Sequence, residues 1–363
     1  MQIPFFDYKR QLKILQPEIN QAIKKVLNSG RLILGSEVKK FENNFSKFIG
    51  VKYGIGVNSG TDAIKIALKT LDIEINDHII TVANTAVPTI NAIREIGAIP
   101  KFVDIKSDFT IDENKIEKAI TKKTKVILPV HLYGQPCNMP AILKIANRYK
   151  LKIVEDCAQA HGARIKNKKV SSFGHINCFS FYPTKNLGAY GDAGMILTSN
   201  EKLAQKCQAL RIYGMRKRYY SYFEGYNSRL DEIQAAFLNI KLKYLKQWVN
   251  KRQKIAEYYL RKIKNPKIIL PVIKNLTNHA FHLFVIRTEQ RKELIKYLIE
   301  KGIGYGIHYQ YPIHLQKAYK FLQHKNGDLP ITEQFSKKII SLPIFPELTK
   351  QEIKYIVDTI NDF

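Results

Sequence analysis

Seven short apolar segments, near 53–57, 78–82, 99–103, 125–130, 151–155, 176–181 and 194–198, are separated mostly by stretches with helical spacing. This alternation restricts the fold more than any other feature of the chain, because a strand followed by a helix returns to pair in parallel with its predecessor. It predicts an α/β fold, a mainly parallel seven-stranded sheet sandwiched by helices, with ligands bound at the strand ends. Ahead of it, Leu12, Leu15, Ile19, Ala22, Ile23, Val26 and Leu27 form a helical stripe that stops at Ser29-Gly30, and a second helix is predicted from Ser36 through Phe41, Phe45 and Phe48. Beyond it, Ile233, Phe237, Ile240, Tyr244 and Trp248 predict one long helix from Asp231. That helix leads to a smaller α+β domain with a strand at 281–286 and helices at 291–301 and 350–360. The expected division is 1–249, an N-terminal arm with the large domain, and 250–363, the small C-terminal domain.

The remaining composition excludes several classes. With 363 residues, 45% of them hydrophobic, the chain has enough material for a large core. Its apolar runs break well before the roughly 18 residues that suggest a membrane span. The first ten residues lack the apolar region of a secretion signal, so a cytoplasmic location is expected. Cys137, Cys157, Cys178 and Cys207 form no C-x-x-C pair, which points to reduced buried thiols and to no metal site. A net charge of +28 would suit nucleic acid. The excess is mostly lysine in short runs such as Lys122-Lys123, and no nucleic-acid fold motif accompanies it. It is read as solvated surface whose field favours anionic substrates.

The chemistry concentrates between Cys178 and Met195. Phe179 and Phe181 lead to Lys185, Pro183 stops a continued ladder or helix, and Gly188, Gly191 and Gly194 permit a tight backbone. A lysine held in such a site loses its charge readily and attacks carbonyls, which makes pyridoxal phosphate the cofactor to expect. That cofactor needs a carboxylate for its ring nitrogen and a cradle for its phosphate. Asp156 ends the apolar segment Leu151–Glu155 and precedes a turn of small residues. Gly60 and Thr61 start a helix after Tyr53–Val57, where free amides favour a phosphate. Taken singly, each of the three has an ordinary structural explanation; their order and combination give the signal. Gly54-x-Gly56-x-x-x-Gly60 is not a dinucleotide fingerprint, because its spacing is too long and its first two glycines fall inside the strand.

These segments, with Phe5-Phe6-Asp7, Gly30–Gly35 and Gly306-Ile307-His308-Tyr309, resemble the DegT/DnrJ/EryC1/StrS family of sugar aminotransferases over nearly the whole chain. The resemblance implies the fold of the type I pyridoxal-phosphate enzymes and a catalytic Lys185 joined covalently to the cofactor. It implies further that Asp156 pairs with the ring nitrogen and Gln159 with the ring hydroxyl. Gly60, Thr61 and Ser180 would hold the phosphate, joined by Asn227 from the other subunit of a homodimer with shared active sites. Tyr182, Tyr219, Tyr220, Arg229, His308 and Tyr309 would contact substrate; Tyr222 belongs to the same aromatic run. Many relatives carry a stacking aromatic residue where this chain has Ala86, so Ala86 is given no binding role.

The implied reaction moves an amino group from L-glutamate to a nucleotide-linked keto-deoxysugar. Dehydratase relatives carry histidine in place of Lys185, which disfavours that chemistry. A non-catalytic sensor or regulator is the alternative from another class. The sequence Asn227-Ser228-Arg229-Leu230 resembles the enzymes for 3-keto-6-deoxy sugars, with 4-keto sugars as the alternative. The small Ser228 is expected to widen the cleft and let the hexose turn C3 toward the cofactor.

Overall fold

The structure, a computed structural model, describes residues 1–273, 275 and 278–363. Two helices open it, α1 (Tyr8–Asn28) and α2 (Ser36–Ile49). The alternating region follows as β1 (Tyr53–Val57), α3 (Gly60–Thr70), β2 (His78–Thr81), α4 (Val87–Glu95), β3 (Ile99–Phe102), α5 (Glu113–Ala119), β4 (Thr124–Ile127), α6 (Met139–Arg148) and β5 (Lys152–Asp156). A hairpin of β6 (Arg164–Ile165) and β7 (Lys168–Lys169) precedes β8 (Ile176–Ser180), β9 (Gly194–Thr198) and α7 (Glu201–Leu210). A second hairpin, β10 (Met215–Lys217) and β11 (Tyr220–Ser221), leads to α8 (Glu232–Leu242) and α9 (Leu245–Lys262). The C-terminal part holds β12 (Phe284–Arg287), α10 (Arg291–Glu300), α11 (Pro330–Lys338), β13 (Ile339–Leu342) and α12 (Lys350–Asp362).

All seven expected strands form, in the order β1-β9-β8-β5-β4-β2-β3. Only β9 runs against its neighbours β1 and β8; the other pairs are parallel. The carboxyl ends of β2, β4, β5 and β8 therefore open on one side of the sheet. The glycines of β1 serve packing: a Cβ on Gly54 would lie 2.7 Å from the Glu42 carbonyl oxygen, and one on Gly56 would lie 2.9 Å from Leu230. They let α2 and the segment before α8 press onto the strand.

The helix predicted from Asp231 is two helices. The chain turns at Lys243 and Tyr244, where the Tyr244 hydroxyl donates to Glu18 of α1 at 2.9 Å. The expected stripe survives the break, since Ile233, Phe237, Ile240, Tyr244 and Trp248 all pack with Leu15 and Ile19 of α1. The predicted strand at 281–286 is shorter than expected and begins at Phe284. Phe281 lies in the left-handed region at φ 43°, and its N–H donates to His279 Nδ1 at 2.8 Å, so this end is a turn. Around β12 and β13 a second core gathers Tyr259, Phe284, Leu294, Ile340 and Ile356. Ile3 joins it and bridges to Ile303.

Helix starts are secured across the fold by carboxylates from other elements. Glu232, 2% exposed at the start of α8, accepts from the N–H groups of Gly35 (2.7 Å), Glu37 (2.9 Å) and Val38 (2.9 Å) at the start of α2. Asp104 does the same for Ile331 and Thr332 in α11. These donors have no partner within their own helices, and a carboxylate also suits the positive helix end. Glu232→Gln should lower stability by roughly 1–3 kcal/mol, because an amide replaces one acceptor with a donor facing these N–H groups. Denaturant unfolding measures this; an unchanged midpoint would show that the cap contributes nothing.

Candidate active site

The strand ends enclose a cavity of about 350 Å³ lined by Gly60, Thr61, Asp156, Gln159, Ser180, Tyr182, Lys185, His308 and Tyr309, among others. Nine of the residues singled out in the sequence thus meet in one place. Ser59 caps α3 by accepting from Asp62 N–H at 3.1 Å. Gly60 is required by the end of β8, because a Cβ there would lie 2.6 Å from Ser180 Cβ. A hydroxyl and a helix start with free amides are thereby brought together, an arrangement suited to a phosphate. Gly188 permits the turn that carries Lys185, since its Cβ would lie 2.3 Å from the Pro183 carbonyl oxygen. Lys241, buried on α8, holds that turn by donating to Gly188 O at 2.7 Å.

Asp156 ends β5. Its carboxylate accepts from Ala158 N–H at 3.0 Å and from the Thr89 hydroxyl at 2.8 Å. Burial raises its pKa, against the lowering effect of these donors and of Lys185. Burial brings Lys185 down to about 8, with Asp156 opposing. The lysine therefore has a substantial neutral fraction near neutrality, as a nucleophile requires.

Gln159 is fixed at both ends of its amide. Its Oε1 accepts from Tyr133 N–H at 2.7 Å, and its Nε2 donates to the Tyr309 hydroxyl at 3.0 Å. An amide nitrogen has two hydrogens, so one remains for a ring hydroxyl. Tyr133, at φ 59°, also donates its own hydroxyl to His308 O. His161 is buried among Phe45, Phe179 and Phe181, and burial with the Lys185 charge brings it down to about 3. The lysine, the opposed carboxylate, the helix start beside Ser180 and the spare Gln159 hydrogen fit pyridoxal phosphate.

Four expected residues stand outside this cavity. Tyr219 and Tyr220 are 84% and 59% exposed around the β10–β11 hairpin. Asn227 is exposed, with its backbone bridged to Ile212, and Arg229 is half-buried. Ser228 between them is fully buried, donates to Asp62 at 2.7 Å and accepts from Asn58 N–H at 3.1 Å, so its small side chain ties the loop to α3. Sequence reasoning missed Thr89, Tyr133 and His282. Thr89 follows Pro88 in the segment read only for Ala86, whereas Tyr133 and His282 carried no local signal.

Fold and site together define a pyridoxal-phosphate aminotransferase. The model of the DegT/DnrJ/EryC1/StrS aminotransferase family matches residues 13–361, and the chain belongs to that family. It is 46% identical over 363 residues to the dTDP-3-amino-3,6-dideoxy-alpha-D-galactopyranose transaminase of Aneurinibacillus thermoaerophilus, covering 99% of both chains. It is 43% identical to a pleiotropic regulatory protein of Geobacillus stearothermophilus, covering 100% of this chain and 99% of that one. The crystal structure of S. venezuelae DesV in complex with a ketimine intermediate superimposes with a TM-score of 0.97 at 41% identity, covering 99% of this chain and 98% of that one.

In protein freed of cofactor, modification of Lys185 by an amine-directed reagent should titrate with a midpoint of about 8. Asp156→Asn removes the charge that favours the ammonium, so the midpoint should fall further. Peptide mass spectrometry across pH reads both values, and a midpoint that rises in the variant would show that Asp156 does not act on Lys185.

Proposed function

We propose that this enzyme transfers the amino group of L-glutamate to a dTDP-3-keto-6-deoxyhexose, giving the dTDP-3-amino-3,6-dideoxyhexose. The single observation that carries the reaction type is Lys185, with its pKa lowered by burial, sharing one cavity with the buried Asp156. The sugar class is supported by the A. thermoaerophilus relative and by a 41%-identical dTDP-3-amino-3,4,6-trideoxy-alpha-D-glucose transaminase of Streptomyces venezuelae. The product would feed glycan or lipopolysaccharide assembly, and the enzyme would work in the cytoplasm.

When bound, pyridoxal phosphate supplies an electron sink for the carbon that loses its proton. Lys185 would hold it covalently, and the lysine amine would act as the base and acid that moves the proton given up by the donor's α carbon. Asp156 would keep the ring nitrogen protonated, and Gln159 would orient the ring through its hydroxyl. Gly60, Thr61 and Ser180 would hold the phosphate, with Asn227 of the partner subunit completing the cradle. Tyr182, His308 and Tyr309 border the space left for the substrate. Tyr219, Tyr220 and Arg229 are assigned to the shared side of the homodimer, which accords with their position outside the cavity of their own chain. Lysine- and arginine-bearing surface there would favour the nucleotide diphosphate.

The name of the G. stearothermophilus relative and the charge of +28 favour a second reading, a regulator. A colourless protein that retards DNA at physiological salt would support it; a yellow protein whose absorption shifts with glutamate supports the enzyme.

Lys185→Ala should abolish turnover and the covalent link while leaving the fold intact, and near-normal transamination by that variant would end the assignment. Mixing Lys185→Ala with Asn227→Ala subunits should restore part of the activity, because one site of each mixed dimer is then free of both lesions. No rescue after verified exchange would count against shared sites. NMR of the product tests the regiochemistry, with the amine expected on C3; an amine on C4 without turnover of 3-keto sugars would refute it.

A further inference from the structure

The loop ahead of α8 turns one residue outward between two that are held. Tyr226 is half-buried and Ser228 fully buried, while Asn227 between them is exposed. Both neighbours are fixed through backbone and side chain. At the end of α7, Tyr226 N–H donates to Leu210 O at 2.7 Å and Ser228 N–H donates to Arg211 O at 3.0 Å. The Ser228 hydroxyl donates to Asp62 at 2.7 Å and accepts from Asn58 N–H at 3.1 Å. The Tyr226 ring lies 4.7 Å from Lys65 Nζ, which pairs with Asp62 at 2.8 Å and with Glu95 of α4 at 3.0 Å. A hydroxyl bonded to a carboxylate and a cation over an aromatic face are both stronger than neutral contacts of the same size. Here a single carboxylate, Asp62, joins the two.

Asp62 and Lys65 belong to α3, the helix whose first residues are Gly60 and Thr61. Its start therefore has two tasks. Gly60 and Thr61 line the cavity of their own subunit. Asp62 gives its backbone N–H to the Ser59 cap that closes this helix start, and its side chain grips the loop that displays Asn227. The same residue thus fixes the phosphate cradle on one side and the outward loop on the other.

We infer that α3 serves both cofactor sites of the dimer: its first turn receives the phosphate of its own subunit, while Asp62 and Lys65, through Ser228 and Tyr226, hold Asn227 in place for the phosphate of the other. This rests on the reading of Asn227 as a shared-site residue and adds to it the side chains that position it.

The consequence is that damage to the clamp is felt in the neighbouring subunit. A loop released from Asp62 has to be ordered at the moment the phosphate binds, and that ordering lowers the affinity. The lysine of the damaged subunit keeps an intact partner loop, so its own site is spared.

The test places each lesion by subunit. Dimers are assembled from two differently tagged chains, one of which carries Lys185→Ala. Only the Lys185 of the other chain can then hold pyridoxal phosphate covalently, and borohydride reduction followed by whole-protein mass spectrometry counts that one site at each cofactor concentration. The Asn227 that completes it belongs to the Lys185→Ala chain. Ser228→Ala added to that chain should raise the concentration for half-occupancy roughly 3- to 10-fold, the usual cost of ordering a side chain on binding. Added to the lysine-bearing chain, it should leave that concentration unchanged. Lys65→Met keeps the stem beside Tyr226 and loses the charge; it should repeat the asymmetry more weakly, and it carries the test if Ser228→Ala does not fold. An effect as large from the lysine-bearing chain, as a general structural lesion would give, overturns the inference, and so does no effect from the Lys185→Ala chain. Asn227→Ala in the same two positions tests the reading beneath it. With no asymmetry there, the shared site falls and this inference with it, whereas asymmetry for Asn227→Ala alone overturns only this inference.

Discussion

A carboxylate carried into a buried cavity sets the conditions for everything around it. Asp156 is 4% exposed, and an ionised group so placed is costly unless donors surround it. The turn after β5 supplies one through Ala158, and α4 supplies another through Thr89. Lys185 supplies the opposite charge. Each comes from a different segment, so the cavity exists only when the loops after β2, β5 and β8 have folded together. The sheet and its loops act as a frame that keeps one charge from being stranded.

The pair His131 and Glu155 extends that frame. With Cys157 their ligand atoms lie within 4.8 Å of one another, a spacing that a metal ion could use. The hydrogen bonds argue otherwise. Glu155 accepts from His131, Ser171, Phe173 and Gly174, and His131 Nδ1 accepts from Cys137 N–H. The proton of the imidazole therefore sits on Nε2, and the lone pairs a metal would take are in use. The cluster anchors the loop that carries Tyr133 to the strand that carries Asp156. Through Tyr133, that loop reaches Gln159 and the backbone of His308, so residues far apart in the chain contribute to one network.

The sheet was legible in the sequence because strand and helix periods differ and because the strands are short, apolar and regularly punctuated. Lys185, Asp156 and Gly60 were legible because glycines and a strand end mark chemistry locally. The break at Lys243 and Tyr244 was not, since the apolar stripe runs straight across it and only the contact of Tyr244 with Glu18 of α1 reveals it. The tie of Ser228 was hidden for a related reason. Its size is visible in the sequence, but its burial against Asp62 depends on residues far along the chain. Tyr133 and His282 likewise gain their meaning from distant partners, and no local spacing could have singled them out.

The bridge between Ile3 and Ile303 has a consequence for how the chain is made. A segment read from the beginning of the message must wait for one read 300 codons later, and closing so long a loop is slow compared with forming a local helix. Until then the apolar side chain of Ile3, 1% exposed in the finished molecule, has no place to go. The first few residues act as a latch, and the second core is complete only once synthesis has passed Ile303. A bulky fusion placed directly ahead of Met1 would crowd that latch, because the Met1 carbonyl oxygen already lies within 2.5 Å of where a side chain on Gly302 would begin.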